Sequence, residues 1–231
     1  MVRCLELFSG TGSVGKVCKS LGWETVSVDI DGRADININI LYWDYKKYPK
    51  DHFDLIWASP PCASFSHLQQ AWLGRTMKNG EIFTKEQMEL NMETMGDPLV
   101  KKALEIIEYF NPMYWFMENP KTGRLKDRPY MKGLPYYDVD YCMYSDWGYR
   151  KRTRIWTNRV GWDNKLCDNK GTCGNMVGSL HKTNLGNTER LLKAEGRLKH
   201  REDVSGLKKR TTLDDRYRIP EDLIYSLFEF D

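Results

Sequence analysis

The start of the chain constrains its fold most. A short apolar run from Arg3 to Phe8 stops at Ser9-Gly10, helical character follows from Val14 to Leu21, and after Gly22 a second β-branched run extends from Thr25 to Ile30. Strand, glycine turn, helix and strand make a βαβ unit, whose strands lie parallel and require a crossover. A third run, Phe53 to Ala58, ends at Ser59-Pro60-Pro61, where two prolines stop any regular element. Asp97-Pro98 reads as an N-cap with proline at the first helical position. Leu99, Ala103, Ile106, Ile107 and Phe110 then form an apolar stripe that Asn111-Pro112 closes. Tyr114 to Met117 is another short strand, and it ends in Glu118-Asn119-Pro120. Strands alternating with helices predict an α/β fold, a mainly parallel sheet with helices on both faces.

At 231 residues and 41% hydrophobic, the chain can bury the core of one domain with a small appendage. No apolar stretch reaches the ~20 residues that span a bilayer, and the first residues lack the apolar core of a signal peptide. A soluble, intracellular, monomeric protein of the cytoplasm or nucleus, with no membrane partner, is expected. Six cysteines in a chain of this length do not form a disulfide framework.

Beyond Trp156 the alternation fades. Residues 161–188 are rich in glycine and asparagine, 189–210 are polar and partly helical in pattern, and Arg216 to Phe230 regains amphipathic spacing from a start at Pro220-Glu221-Asp222. Charge divides the same way. Residues 1–156 carry 21 basic and 20 acidic side chains, 157–211 carry 12 and 6, and 212–231 carry 2 and 6. The middle segment suits a polyanionic partner, although a solvated lysine-rich surface has the same composition.

Four features carry chemistry. Gly10-Thr11-Gly12-Ser13-Val14-Gly15 follows a strand and opens a helix, where glycines let a ligand approach the backbone and helix N–H groups face it. Asp29, at the end of the second strand, is placed to accept ribose hydroxyls. The same turn nearly matches a P-loop, but Val17 stands where a magnesium-binding Ser or Thr belongs, which disfavours a nucleotide hydrolase. Cys62, just past a strand end and held by Pro60-Pro61, is a presented thiol, whereas Cys4, Cys18, Cys142, Cys167 and Cys173 read as packed core. Glu118 emerges at the same sheet edge, and Arg150, Arg152 and Arg154 alternate along a strand toward one side. Cys167 and Cys173 with His181 have zinc-ligand chemistry, but their five-residue spacer departs from the usual two to four, so no metal is assigned.

In order, these features resemble the DNA cytosine-5 methyltransferase family, in a compact, phage- or virus-like form. Leu7-Phe8-Ser9-Gly10-Thr11-Gly12 resembles its first motif, Pro60-Pro61-Cys62 with Phe65-Ser66 its nucleophile motif, Glu118-Asn119 its glutamate motif and Arg150 to Arg154 its arginine motif. The resemblance covers about residues 1–156 and implies a Rossmann-like methyltransferase sheet, S-adenosylmethionine as donor and cytosine in double-stranded DNA as acceptor, reached by base flipping. It makes Cys62 the nucleophile and Glu118 the partner of the ring nitrogen N3, with Arg152 and Arg154 binding the base and holding Glu118. On the donor side it implies Phe8, Ser9, Gly10, Thr11, Gly12, Asp29, Ile30, Asp35, Ile36 and Pro61. It also divides the chain into a catalytic domain over 1–156, a reduced target-recognition region over 157–211, and a C-terminal helix over 212–231 packing back on the catalytic domain.

The departures are local. Ala63 stands for the usual Gln, Pro120 for Val and Arg150 for Gln. The helix usual between the positions of Asp29 and Asp35 is shortened or absent. Arg216 to Leu227 resembles the penultimate motif, with no last motif after it. Within the recognition region Trp162, Asn175, His181 and Asn184 are candidate base readers. The same reaction on RNA, or a catalytically weak nucleic-acid-binding relative, remains an alternative.

Overall fold

A computed structural model describes residues 1–177, 180–183 and 212–230. The chain separates into two compact units, Met1–Tyr137 with Thr153–Gly161, and Asp138–Arg152 with Trp162–Asp231.

The first unit begins as the periodicity predicts, with β1 (Arg3–Leu7), α1 (Ser13–Ser20) and β2 (Glu24–Asp29), then adds a two-residue strand that the periodicity did not mark, β3 (Ile36–Asn37), before the expected β4 (Leu55–Ala58). It continues through α2 (Lys85–Asn91), α3 (Asp97–Phe110) and β5 (Tyr114–Pro120) to β6 (Tyr136–Asp140) and β7 (Arg152–Thr157), the last two crossing the division between units. The sheet order is β3-β2-β1-β4-β5-β7-β6. The strands from β3 to β5 are parallel, and β7 runs antiparallel to β5. Leu7 lies opposite both Val28 and Ala58, and Ala58 lies opposite Met117. Phe8, Asp29, Ser59 and Glu118 therefore reach one carboxyl edge, where open α/β sheets bind ligands.

Side-chain alternation gives the sheet two covered faces. Leu5, Leu7, Val28, Ile56, Ala58 and Met117 pack with Val100, Ala103, Ile106 and Phe110 of α3. Each of the larger buried side chains, Leu, Ile, Val, Met and Phe, contributes roughly 1.5–3 kcal/mol. On the other face α1 crosses Glu6 and Thr25 at Gly15, where an added Cβ would lie 2.9 Å from Glu6 Oε2. No helix intervenes between Asp29 and Ile36, as the short spacing requires.

Three local expectations are corrected. Asp97 is not an N-cap: α2 runs through a π-helical turn, Met92–Gly96, straight into α3, so Asp97 is already helical. Its buried carboxylate instead accepts from Arg128 Nη2 at 2.5 Å and Tyr130 OH at 2.7 Å. The strand beginning at Tyr114 does not stop at Met117, because β7 pairs with it as far as Pro120. Arg150 precedes β7 and does not lie in it, although its guanidinium is 3.9 Å from Asp140, the carboxylate that Arg152 binds.

The second unit carries the hairpin β8 (Met176–Val177) and β9 (Leu180–His181), then α4 (Leu213–Tyr217) and α5 (Glu221–Phe228). A capping box between Thr212 and Asp215 starts α4. In α5 Leu223, Ile224, Leu227 and Phe228 are buried, the stripe read from the sequence. Tyr149 donates to the Asp215 carbonyl at 2.5 Å, and the Arg218 guanidinium lies 3.7 Å from the centre of the Trp147 ring. Among the described residues, no helix is long and apolar enough to cross a membrane.

Candidate active site

The glycine turn after β1 has the backbone its sequence demands. Phe8 (φ +57°), Gly10 (φ +49°) and Gly12 (φ +68°) all adopt left-handed conformations. For a bulky residue such as Phe8 this is strained, and its N–H is fixed by a 2.8 Å bond to the Val28 carbonyl. The Ser9 carbonyl accepts the Gly12 N–H at 2.7 Å, and Thr11 Oγ1 lies 2.9 Å from Ser13 Oγ. A Cβ built on Gly12 meets nothing within 4 Å, so the turn faces open space.

Asp29 is tied to this turn. One carboxylate oxygen accepts the Gly10 N–H at 2.9 Å and the other the Asp31 N–H at 3.0 Å, which orients the group and leaves lone pairs for further donors. Ile30 beside it is 77% exposed, an apolar surface at the strand end. Asp35 is placed differently. Its carboxylate accepts from Ser27 Oγ at 2.6 Å and Ser27 N at 2.9 Å, which hold its pKa below the usual carboxylate value, and Ile36 then starts β3.

Glu6 is the residue that motif reading missed. Its side chain is 3% exposed and accepts the N–H groups of Val14 (3.2 Å) and Gly15 (2.9 Å), the unpaired donors at the start of α1. Burial pushes its pKa up to about 7, the two N–H bonds oppose the rise, and Asp29 and Asp35 add to it. The available signal was a carboxylate inside an apolar run, directly before the glycine turn.

On the neighbouring strands, β4 ends at Ala58 and the chain turns through buried Pro60 and exposed Pro61 to half-buried Cys62, which precedes a single 3-10 turn, Ala63–Phe65. The fully buried Asn119 of β5 donates from Nδ2 to the Pro60 carbonyl at 2.9 Å, and Arg124 N donates to the Phe65 carbonyl at 2.7 Å. The two bonds bracket Cys62 and fasten its loop to β5 and the segment after it. Glu118, 6% exposed, precedes Asn119 and projects to the opposite sheet face.

The structure brings Cys62 and Glu118 to the carboxyl ends of adjacent strands. Arg152 and Arg154 take alternate positions of β7, as read from the sequence, but on the face away from Glu118. Arg154 lies opposite Asn119 in the register and shares its face, whereas Glu118 lies opposite Ile155. The Arg154 guanidinium stacks 3.5 Å from the centre of the Tyr136 ring. In the second unit Arg152 binds the wholly buried Asp140 with two bonds, Nε at 3.0 Å and Nη2 at 2.7 Å, and these hydrogen bonds raise its pKa. Trp162 is buried and stacked on Tyr144. Asn175 donates to the carbonyls of Cys142, Ser145 and Cys173 and accepts the Gly148 N–H, so it acts as an internal brace. Asn184 lies outside the described residues.

No family model matches the chain. Among solved structures, the methyltransferase EhMeth of Entamoeba histolytica is 14% identical, covering 72% of this chain and 56% of its own, with a TM-score of 0.49. A DNMT2 variant from Spodoptera frugiperda is 22% identical, covering 73% and 54%, with a TM-score of 0.40. The chain thus spans about half the length of these structures. A relative from Frog virus 3 (isolate Goorha), named probable DNA (cytosine-5)-methyltransferase, is 42% identical over 233 residues and covers 99% of both chains. That identity over the full length, on a sheet edge carrying the motifs in order, makes this chain a member of the DNA (cytosine-5)-methyltransferase family.

Proposed function

We propose that the protein transfers a methyl group from S-adenosylmethionine to C5 of cytosine in DNA. The observation that carries this reading is the Asn119–Pro60 bond, which fastens the Cys62 loop to the strand bearing Glu118. A thiol and a carboxyl at adjacent strand ends supply nucleophile and proton-bonding partner for one ring.

The donor's residues fit the group. The open turn at Gly10 and Gly12 admits its methionine part, the oriented Asp29 accepts its ribose hydroxyls, and the exposed Ile30 with Ile36 flanks its adenine. Phe8, Ser9 and Thr11 shape the turn, Asp35 braces β2 beside it, and Pro61 borders the methyl end. Bound there, S-adenosylmethionine supplies an electrophilic methyl on a positively charged sulfur.

Cytosine C5 is too weakly nucleophilic to take that methyl unaided. Cys62, as thiolate, forms a bond to C6, and the C5–C6 π pair becomes an enamine able to attack through C5. Glu118 hydrogen-bonds N3 and limits negative charge on the ring, and Arg152 and Arg154, on the face of Asn119, provide positive charge for the base. Loss of the C5 proton to a base then breaks the S–C6 bond and returns the thiolate. A duplex target must leave the stack first, costing roughly a few kcal/mol.

The test is incubation with methyl-labelled S-adenosylmethionine and either duplex DNA or RNA, followed by nucleoside analysis. Label in 5-methylcytosine from DNA, abolished by Cys62→Ser, is expected. Label confined to RNA overturns the substrate, and label surviving Cys62→Ser overturns the nucleophile.

A further inference from the structure

Four metal-binding side chains converge in the second unit. Cys142, Cys167, Cys173 and His181 each point one ligand atom inward, and the three sulfurs and one nitrogen all lie within 4.8 Å of one another. They come from three separate segments. Cys142 sits in the turn Tyr141–Met143 after β6, Cys167 and Cys173 flank a tight loop, and His181 ends β9.

The loop geometry explains how a five-residue spacer still serves. Asn169 (φ +59°) and Gly171 (φ +98°) turn the backbone through left-handed conformations, and the Asp168 carboxylate accepts the Lys170 N–H at 2.8 Å and Thr172 Oγ1 at 2.9 Å. These turns fold the spacer back so that the sulfurs at its two ends face a common point.

We propose that Cys142, Cys167, Cys173 and His181 bind a structural zinc ion. The distances fit such an ion. A tetrahedral ion with Zn–S of about 2.3 Å and Zn–N of about 2.0–2.1 Å sets the sulfur-to-nitrogen edge at about 3.6 Å. His181 Nε2 lies 3.6 Å from Cys167 Sγ and 3.6 Å from Cys173 Sγ. A disulfide would use two of the sulfurs and leave the third, with the imidazole, unexplained. Three sulfurs and one nitrogen in a closed set of four is the donor chemistry of structural zinc, with no position left for substrate.

The surroundings supply what such a site needs. The Asn169 N–H lies 3.4 Å from Cys167 Sγ as a donor to sulfur, and the Cys167 N–H donates to Asp140 Oδ2 at 2.9 Å, fixing the ligand's backbone. Three thiolates and a neutral imidazole around a divalent ion leave one negative charge. Arg150, bonded to Asn169 Oδ1 at 2.7 Å, stands beside the loop. A small unit with two-residue strands and short helices gains most from such a staple.

The full-length protein, expressed with zinc supplementation and purified without chelator, is expected to hold about one zinc per chain by plasma mass spectrometry. Replacement by Co(II) is expected to give tetrahedral ligand-field bands and a strong thiolate-to-cobalt charge-transfer band. Cys62→Ser retains both, whereas Cys142→Ser, Cys167→Ser and Cys173→Ser each lose metal or charge-transfer intensity. His181→Ala binds zinc at least about tenfold more weakly against a competing chelator. Should a cysteine variant fail to fold, the wild-type stoichiometry and cobalt spectrum decide alone. Zinc below about a tenth of an equivalent, with no cobalt charge-transfer band, overturns the site. A His181→Ala chain with unchanged zinc affinity and cobalt spectrum overturns its ligand set.

Discussion

The Asn119 side-chain amide donates to the Pro60 carbonyl at 2.9 Å, across 59 residues of sequence, and so joins the Cys62 loop to the strand bearing Glu118. Both partners are buried. Asn119→Ala leaves the Pro60 carbonyl without this donor, an expected loss of about 1–3 kcal/mol of stability. Displacement of the Cys62 loop by ~1 Å is expected to lower single-turnover methyl transfer about 100-fold. Chemical denaturation and rapid quench measure the two effects, and binding of S-adenosylmethionine should change little.

Glu6 gives the fold a pH dependence. Its folded pKa of about 7 lies above that of an exposed glutamate, so the folded state holds a proton that the unfolded state has released. Its contribution is therefore fully present below about pH 4.3 and is lost as the pH rises to about 7, by roughly 3 kcal/mol in all. Denaturation of wild type and Glu6→Gln at several pH values should show their stability difference shifting against wild type across that window. Parallel pH profiles would remove Glu6 as the cause.

Gly12→Val is the variant expected to separate donor binding from folding. At φ +68° an L side chain costs about 1–2 kcal/mol, and the Cβ would enter the open space before the turn. Gly12→Val is expected to remain folded by circular dichroism while its Kd for S-adenosylmethionine, measured by calorimetry, rises at least about tenfold, equivalent to about 1.4 kcal/mol.

Arg152 and Asp140 form a pair in which only the arginine reaches water, at 32% side-chain exposure against 0%. Arg152→Ala removes the two-bonded partner and leaves the carboxylate with the Cys167 N–H and, at 3.9 Å, the Arg150 guanidinium. The expected loss is about 2–3 kcal/mol, below the ~3–5 kcal/mol of a fully buried pair because water screens the guanidinium. Arg152→Ala combined with Asp140→Asn should recover part of it in thermal unfolding.

Much of this architecture is legible in the residues. The apolar runs at Arg3–Phe8 and Thr25–Ile30, separated by a glycine turn and a helical stretch, specify a βαβ unit locally, and the Pro60-Pro61 break places Cys62 at the sheet edge. What escapes depends on distant partners. Asp97 carries a helix-start signal, yet the helix was already running and its carboxylate serves Arg128 and Tyr130. The extension of β5 through Glu118 depends on β7, which pairs with it only after the chain returns. Cys142 reads as core because its companions Cys167, Cys173 and His181 lie far along the chain. Spacing rules sense contiguous loops and miss ligands brought together by the fold.

The most direct test of the account is the intact mass of the protein after incubation with S-adenosylmethionine and a DNA duplex carrying 5-fluorocytosine. Fluorine at C5 cannot leave as a proton does, so elimination stops after methyl transfer. The account predicts a covalent protein–DNA complex joined through Cys62 and absent from Cys62→Ser. Methylation of ordinary cytosine without any trapped complex on the fluorinated duplex, or a complex that survives Cys62→Ser, would contradict it.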